Sequence, residues 1–226
     1  MYLHVGDRQA PRVVRISSSG AALSRMAKRS LDIVVSTTAL LLLSPLMLVV
    51  AATVRLTSPG PALFRQTRAG LHAEPFLMFK FRTMRAGCSD EVHRQYVARL
   101  LASEAVSVDG LYKLDHDARI TRVGSFLRRW SLDELPQLLN VLRGDMSLVG
   151  PRPALPWELE MLPNSAQARF EVPPGLTGLW QVSGRNQLTM LEGLELDIQY
   201  AAHPGMWQDL KILVRTVPAL IRPGAR

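Results

Sequence analysis

The chain has one cysteine, Cys88, in 226 residues. A fold stapled by disulfides is therefore excluded, and a reducing compartment is the expectation. Aromatic residues are scarce at 6%, and the 27 basic residues include only 4 lysines. No GxxxxGK[ST] loop or GxGxxG turn occurs, which excludes the two common backbone cradles for nucleotide phosphates. No Cys/His spacing suits zinc, the 5 histidines are scattered, and no GxSxG elbow is present. Any catalysis falls to carboxylates and arginines.

What the chain does contain sets a class. A hydrophobic fraction of 47% excludes disorder for the bulk of the sequence, and the length suits one domain with an appendage. A net charge of +8 points to anionic partners, whether nucleic acid, acidic lipid or a phosphorylated substrate. Residues 1–24, with scattered Arg and the run Ser17-Ser18-Ser19-Gly20, read as a loose tail. No signal peptide is legible before the apolar stretch that follows.

That stretch is the strongest physical signal. From Ile33 to Val54, 22 consecutive residues are uncharged and mostly apolar. As a straight helix they reach about 33 Å, enough to cross a hydrocarbon core of about 30 Å. Pro45 opposes a simple span, because it removes a backbone hydrogen bond and invites a kink. The flanks oppose it as well. Arg25, Lys28 and Arg29 precede the run, while Arg55, Arg65, Arg68, Lys80, Arg82 and Arg85 follow it. A spanning helix shows a positive bias toward one side. Two basic flanks fit a re-entrant membrane helix over 25–57, broken at Ser44-Pro45, that enters and leaves by one face.

Beyond the turn Ser58-Pro59-Gly60-Pro61, the segments Ala62–Arg68 and Phe76–Thr83 predict a β-hairpin around Gly70. Val92, Tyr96, Leu100 and Leu101 give a loose helical pattern. Leu135, Leu138, Leu139 and Leu142 predict a helix that Gly144 stops. Near the C-terminus Trp207, Leu210, Ile212, Leu213 and Val217 form an apolar stripe, which serves an interfacial helix or core packing equally well. The fold class is α+β: a mostly helical monotopic membrane protein with a small β-hairpin, its domain spanning 58–226.

Asp133 and Glu134 are adjacent carboxylates within Ser131-Leu132-Asp133-Glu134-Leu135-Pro136. Ser131 and Glu134 match capping-box spacing, but Pro136 would then clash with the Leu132 carbonyl. With Asp133 as the cap, Pro136 falls in the first turn, and the helix dipole stabilises the carboxylate. A cap is all that an isolated Asp would mean. Here Arg128 and Arg129 lie upstream, and Arg143, Arg152 and Arg185 recur in loop-like segments. Arginines around paired acids make a poor core and a good phosphate site.

Lys28-Arg29-Ser30-Leu31-Asp32 before the apolar run, Phe79-Lys80-Phe81-Arg82-Thr83-Met84, Arg128 through Pro136, Gly144 through Pro153, and Pro174 through Asn186 occur in that order. Together they resemble the bacterial sugar transferase family, the monotopic phosphoglycosyl transferases that begin exopolysaccharide and glycan assembly. The resemblance covers about residues 25–222 and looks most like the short exopolysaccharide-initiating members.

It implies an enzyme that moves a sugar-1-phosphate, galactose or glucose favoured, from a UDP-sugar to undecaprenyl (polyprenyl) phosphate, with release of UMP. It implies Asp133 as the nucleophile that carries the phosphosugar, and Mg²⁺ held by Asp133 and Glu134. Arg128, Arg152 and Arg185 would bind substrate phosphate, and Asp197 aligns with a functional acidic position. The alternative for Arg152, between prolines, is a donor to buried carbonyls, and for Asp197 a structural residue of a helix. Membrane lipids, and downstream membrane glycosyltransferases that take the product, are the implied partners; nucleic acid is not. The implied location is the bacterial inner membrane, with the domain on its cytoplasmic face. Two other classes compete. A membrane-tethered nucleic-acid-binding protein would need a basic stripe with stacking aromatics, and a non-catalytic membrane scaffold would need only the apolar run.

Overall fold

A computed structural model of the chain describes residues 18–85, 91–102, 119–184 and 188–221. It is mostly helical, with a small two-stranded hairpin, as expected.

Helix α1 runs from Ser18 to Thr57 as one element, with Pro45 inside it. It thus begins within the segment read as a loose tail. Extending a helix costs far less than nucleating one, so the long apolar run carries helix into Ala21, Ala22 and Leu23. Nor does the helix break at Ser44-Pro45. Pro45 has no amide proton for the Leu41 carbonyl four residues back, and the Ser44 hydroxyl donates to that oxygen instead, at 2.9 Å. The hydroxyl supplies what the proline removes, and the helix continues.

Both ends of α1 dock on the folded domain. Lys28 Nζ donates to Asp209 Oδ2 at 2.7 Å and to the Val149 carbonyl at 3.0 Å. The buried Asp32 accepts from the Ser147 hydroxyl at 3.1 Å and the Leu148 amide at 3.0 Å. At the far end Val50 and Val54 pack with Phe81 and Leu127, and Arg82 donates to the Ser58 carbonyl at 2.7 Å. Several charges that the sequence presents as membrane flanks are therefore tertiary contacts. Between the two docked ends, Leu41, Leu42, Leu46, Leu48 and Val49 are exposed.

Strands β1 (Leu63–Ala69) and β2 (Pro75–Phe81) form the antiparallel hairpin, with Phe64 opposite Lys80 and Arg68 opposite Phe76. Helix α2 covers Glu91–Ala102 and buries Val97 and Leu100. Helix α3 (Arg122–Arg129) is capped by Thr121, whose side chain accepts from the Gly124 amide at 2.9 Å. Gly124 lies against the end of the hairpin: a Cβ there would come within 2.0 Å of the Thr83 carbonyl oxygen, so only glycine allows the approach.

Helix α4 (Gln137–Arg143) ends at Gly144, whose φ of 91° is the left-handed stop expected there. Two of its last carbonyls, Val141 and Leu142, accept from the Arg29 guanidinium. A parallel pair follows, β3 (Ser147–Val149) with β4 (Gly175–Thr177), which the sequence did not announce. The short α5 (Leu179–Val182), α6 (Met190–Ala202) and α7 (Met206–Ile221) complete the described chain. The apolar stripe of α7 divides: Ile212 is buried against Met78, Leu148 and Tyr200, while Trp207, Leu210 and Val217 are exposed.

Candidate active site

Asp133 and Glu134 lie in a 3-10 turn, Leu132–Glu134, rather than at the start of an α-helix. The capping box is absent, since the Ser131 side chain makes no cap hydrogen bond. The alternative, Asp133 as cap of the following helix, does not form either, because α4 begins only after Pro136. Pro136 explains both. An α-helical turn would press its ring on the Leu132 carbonyl, and that carbonyl instead accepts from the Leu135 amide at 3.3 Å, an i to i+3 bond. Ser131 enters the turn at φ 52°, in the left-handed region, where a side chain is strained. A three-residue turn has little dipole, so Asp133 draws less from that source than a full helix would give.

Asn140 fixes the turn relative to the hairpin. Fully buried, it accepts from the Phe79 amide at 3.0 Å and donates to the Leu77 carbonyl at 2.7 Å. Strand β2 is thereby clamped to α4, and Lys80 comes 3.8 Å from Glu134 Oε1. Burial lowers the Lys80 ammonium from 10.5 to about 8. The Glu134 and Asp133 carboxylates oppose that shift, while Arg152 and Arg68 add to it. All five charges therefore share one electrostatic neighbourhood.

A cleft opens there. Arg68, Lys80, Glu134 and Arg152 supply its charged walls, Gln137 and Gln181 its amides, and Met78, Pro153 and Leu176 its apolar surface. Asp133, 4% exposed, sits beside it. The Arg152 loop is held from two sides. Arg68 Nη1 donates to the Pro153 carbonyl at 3.2 Å, and the Ala69 amide donates to Ala154 at 2.8 Å. From behind, Arg169 Nη2 donates to the Arg152 carbonyl and to Asp197 Oδ2, each at 2.6 Å.

The structure therefore gathers Glu134 and Arg152 in the cleft, with Asp133 next to them. Arg128 lies at the end of α3, where its Nε donates to the Thr83 hydroxyl at 3.0 Å. Asp197 is not a cleft wall; 2% exposed, it pairs with Arg169 behind the Arg152 main chain. Burial lifts its carboxyl from 3.8 to about 6, against the pull of Arg169. Arg143 stacks on the Phe79 ring, its guanidinium carbon 4.7 Å from the centroid. Arg185 lies outside the described residues. Sequence reasoning missed Lys80 and Arg68 as cleft residues, although both stand in strands it identified; their alternation with Phe79 and Phe81, and with Ala69, was the available signal.

Mg²⁺ can be tested against this donor set. Among the described residues no group of three or more acidic, His or Cys side chains converges as a metal cage. Mg²⁺ commonly takes one or two carboxylates together with substrate phosphate oxygens, and adjacent Asp133 and Glu134 meet that need.

Adjacent acids among cations at the edge of one cleft make a candidate site for anionic groups. Residues 23–223 match the model of the bacterial sugar transferase family, and the chain belongs to that family. It is 42% identical over 195 residues to the exopolysaccharide production protein ExoY of Rhizobium meliloti, covering 86% of this chain and 85% of that one. It is 44% identical over 215 residues to a UDP-glucose:undecaprenyl-phosphate glucose-1-phosphate transferase of Caulobacter vibrioides, covering 89% of this chain and 74% of that one. An undecaprenyl-phosphate galactose phosphotransferase of Salmonella typhimurium is 42% identical over 202 residues, 88% of this chain and 41% of its own length.

Proposed function

We propose that this transferase moves a hexose-1-phosphate from a UDP-hexose to a polyprenyl phosphate, releasing UMP, as the first membrane step of exopolysaccharide or glycan synthesis. The observation that carries the reading is the meeting of Glu134 with Lys80, Arg68 and Arg152 at one cleft, with Asp133 beside it.

Asp133 attacks the phosphorus that bears the sugar. A bond forms from its carboxylate oxygen to phosphorus, the bond to the UMP oxygen breaks, and UMP leaves with the electron pair. An oxygen of the polyprenyl phosphate then attacks the same phosphorus and displaces Asp133, which returns as a carboxylate. The product is polyprenyl diphosphate-sugar. Lys80, Arg68 and Arg152 hold the phosphate oxygens and offset the charge that builds on them. A Mg²⁺ ion held by Asp133 and Glu134 would supply neutralisation of the diphosphate. The partial burial of the dyad keeps water from competing with the lipid acceptor.

Helix α1 is the support for the membrane arrangement. The docking of both its ends on the same domain supports a reading in which both stand on one side of the bilayer with the exposed apolar middle toward lipid. The exposed Phe126, Trp130 and Trp207 suit the headgroup level, where aromatic rings concentrate. This is the re-entrant reading, with the domain on the cytoplasmic face, where soluble UDP-sugar and membrane-held acceptor meet.

The test is UMP release from a panel of UDP-sugars with undecaprenyl phosphate, with and without Mg²⁺. Release that needs both a UDP-hexose and Mg²⁺ is expected. A protein that binds nucleic acid and turns over none of these donors would contradict the assignment.

A further inference from the structure

Arg169 and Asp197 make an ion pair behind the cleft rather than in its wall. Arg169 stands in the 3-10 segment Asn164–Glu171 and Asp197 in α6, and their side chains are 3% and 2% exposed. A buried pair that only joins two elements gains little, because apolar side chains of similar volume serve as well or better. This pair does something that apolar side chains cannot. Arg169 Nη2 donates to the Arg152 carbonyl as well as to Asp197, each at 2.6 Å. The Arg152 amide and guanidinium in turn favour the ionised form of the Asp197 carboxyl, against burial.

The target of that grip is a short loop with few freedoms. Pro151 and Pro153 flank Arg152, and each has a fixed φ. The Pro151 carbonyl accepts from the Gly175 amide at 2.7 Å, and the Pro153 carbonyl from Arg68 at 3.2 Å. Arg169 takes the carbonyl between them. Three consecutive carbonyls are thus held from three elements, β4, the Asn164–Glu171 segment and β1. The middle one belongs to the residue whose guanidinium charge reaches Lys80 in the cleft. A planar guanidinium grips phosphate well only when its fork is aligned, so the anchor of its main chain bears on the chemistry.

We infer that Arg169 and Asp197 are positioning residues that act through Arg152, setting the main chain from which its guanidinium meets substrate phosphate. The inference rests on the phosphate-binding role given to Arg152 in the reaction proposed above.

The test is a double-mutant cycle read as kcat/KM for UMP release. The pair is replaced by Arg169→Met with Asp197→Leu, which strands no charge, in wild type and in an Arg152→Ala background. In wild type the replacement should cost about tenfold or more, since a misplacement of about 1 Å costs up to about a hundredfold. With Arg152 already truncated it should cost less than about twofold, because the group it positions is gone. The melting temperature should stay near that of wild type or rise. An equal loss in both backgrounds would overturn the inference by showing a general structural role, as would wild-type turnover without the pair. If the apolar pair does not fold, Asp197→Asn, nearly unchanged in shape, replaces it in the same cycle, and a loss that persists beside Arg152→Ala overturns the inference. Absence of UMP release by wild type is a different result: it removes the proposed reaction, and this inference with it.

Discussion

Replacing Lys28 by Met tests how α1 sits. Lys28 Nζ is 2.7 Å from the Asp209 carboxylate, whose side chain is 1% exposed against 20% for the lysine. Removing the ammonium leaves a buried carboxylate with the Tyr200 hydroxyl, at 2.7 Å, as its remaining donor. Breaking a buried pair costs about 3–5 kcal/mol, and the partial exposure of Lys28 favours the lower end, about 3 kcal/mol. For a chain of this size, that lowers the melting temperature by roughly 6–12 °C. Asp209→Asn in the same chain removes the stranded charge and keeps an acceptor for Tyr200, so the double variant should recover most of the loss. The assay is thermal unfolding in nanodiscs, where the bilayer constrains α1. If α1 crossed the membrane, Lys28 and Asp209 would stand on opposite sides and could not pair. A single variant that melts within about 2 °C of wild type would refute the docking argument and the topology built on it.

Other predictions address the helix, the cleft and the buried acid. With Cys88 replaced by Ser, single cysteines at the exposed Met26 and Leu56 should label from the same side of the membrane. Arg152→Lys keeps the charge but loses the planar fork, so turnover should fall at least about tenfold in a steady-state UMP assay. Asp197 binds its proton more tightly in the folded chain than in the unfolded one, since burial raises its carboxyl to about 6. Its contribution to stability is therefore greatest below about pH 4 and is lost as the pH rises through 6. Asp197→Asn should lack that segment of the stability profile between pH 4 and 7, and parallel profiles would contradict it.

The sequence made legible what is local. Alternation across Phe76–Phe81 announced the hairpin, leucines at helical spacing and Gly144 delimited α4, and the apolar run announced α1. The dyad and Arg152 are marked by residue type and motif; Glu134 and Arg152 line the cleft, and Asp133 stands beside it. What stayed hidden depends on distant partners. Lys28 meets a residue 181 positions away, and Arg29 meets carbonyls 112 and 113 positions away, so both read as flanking charges until the chain folds. Arg82 was hidden in the same way by its bond to Ser58. The error around Asp133 had another cause. In the sequence Pro136 offers two α-helical registers, whereas in the fold a 3-10 turn satisfies it without either.

The central claim is that Asp133 becomes covalently attached to phosphorus. Wild-type protein incubated with Mg²⁺ and its UDP-hexose, without lipid acceptor, should gain the mass of one hexose phosphate, and peptide mass spectrometry should locate it on Asp133. Asp133→Asn, nearly identical in shape, should fold and insert yet gain no mass and release no UMP. An adduct on Glu134, or full turnover by the Asn variant, would contradict the account.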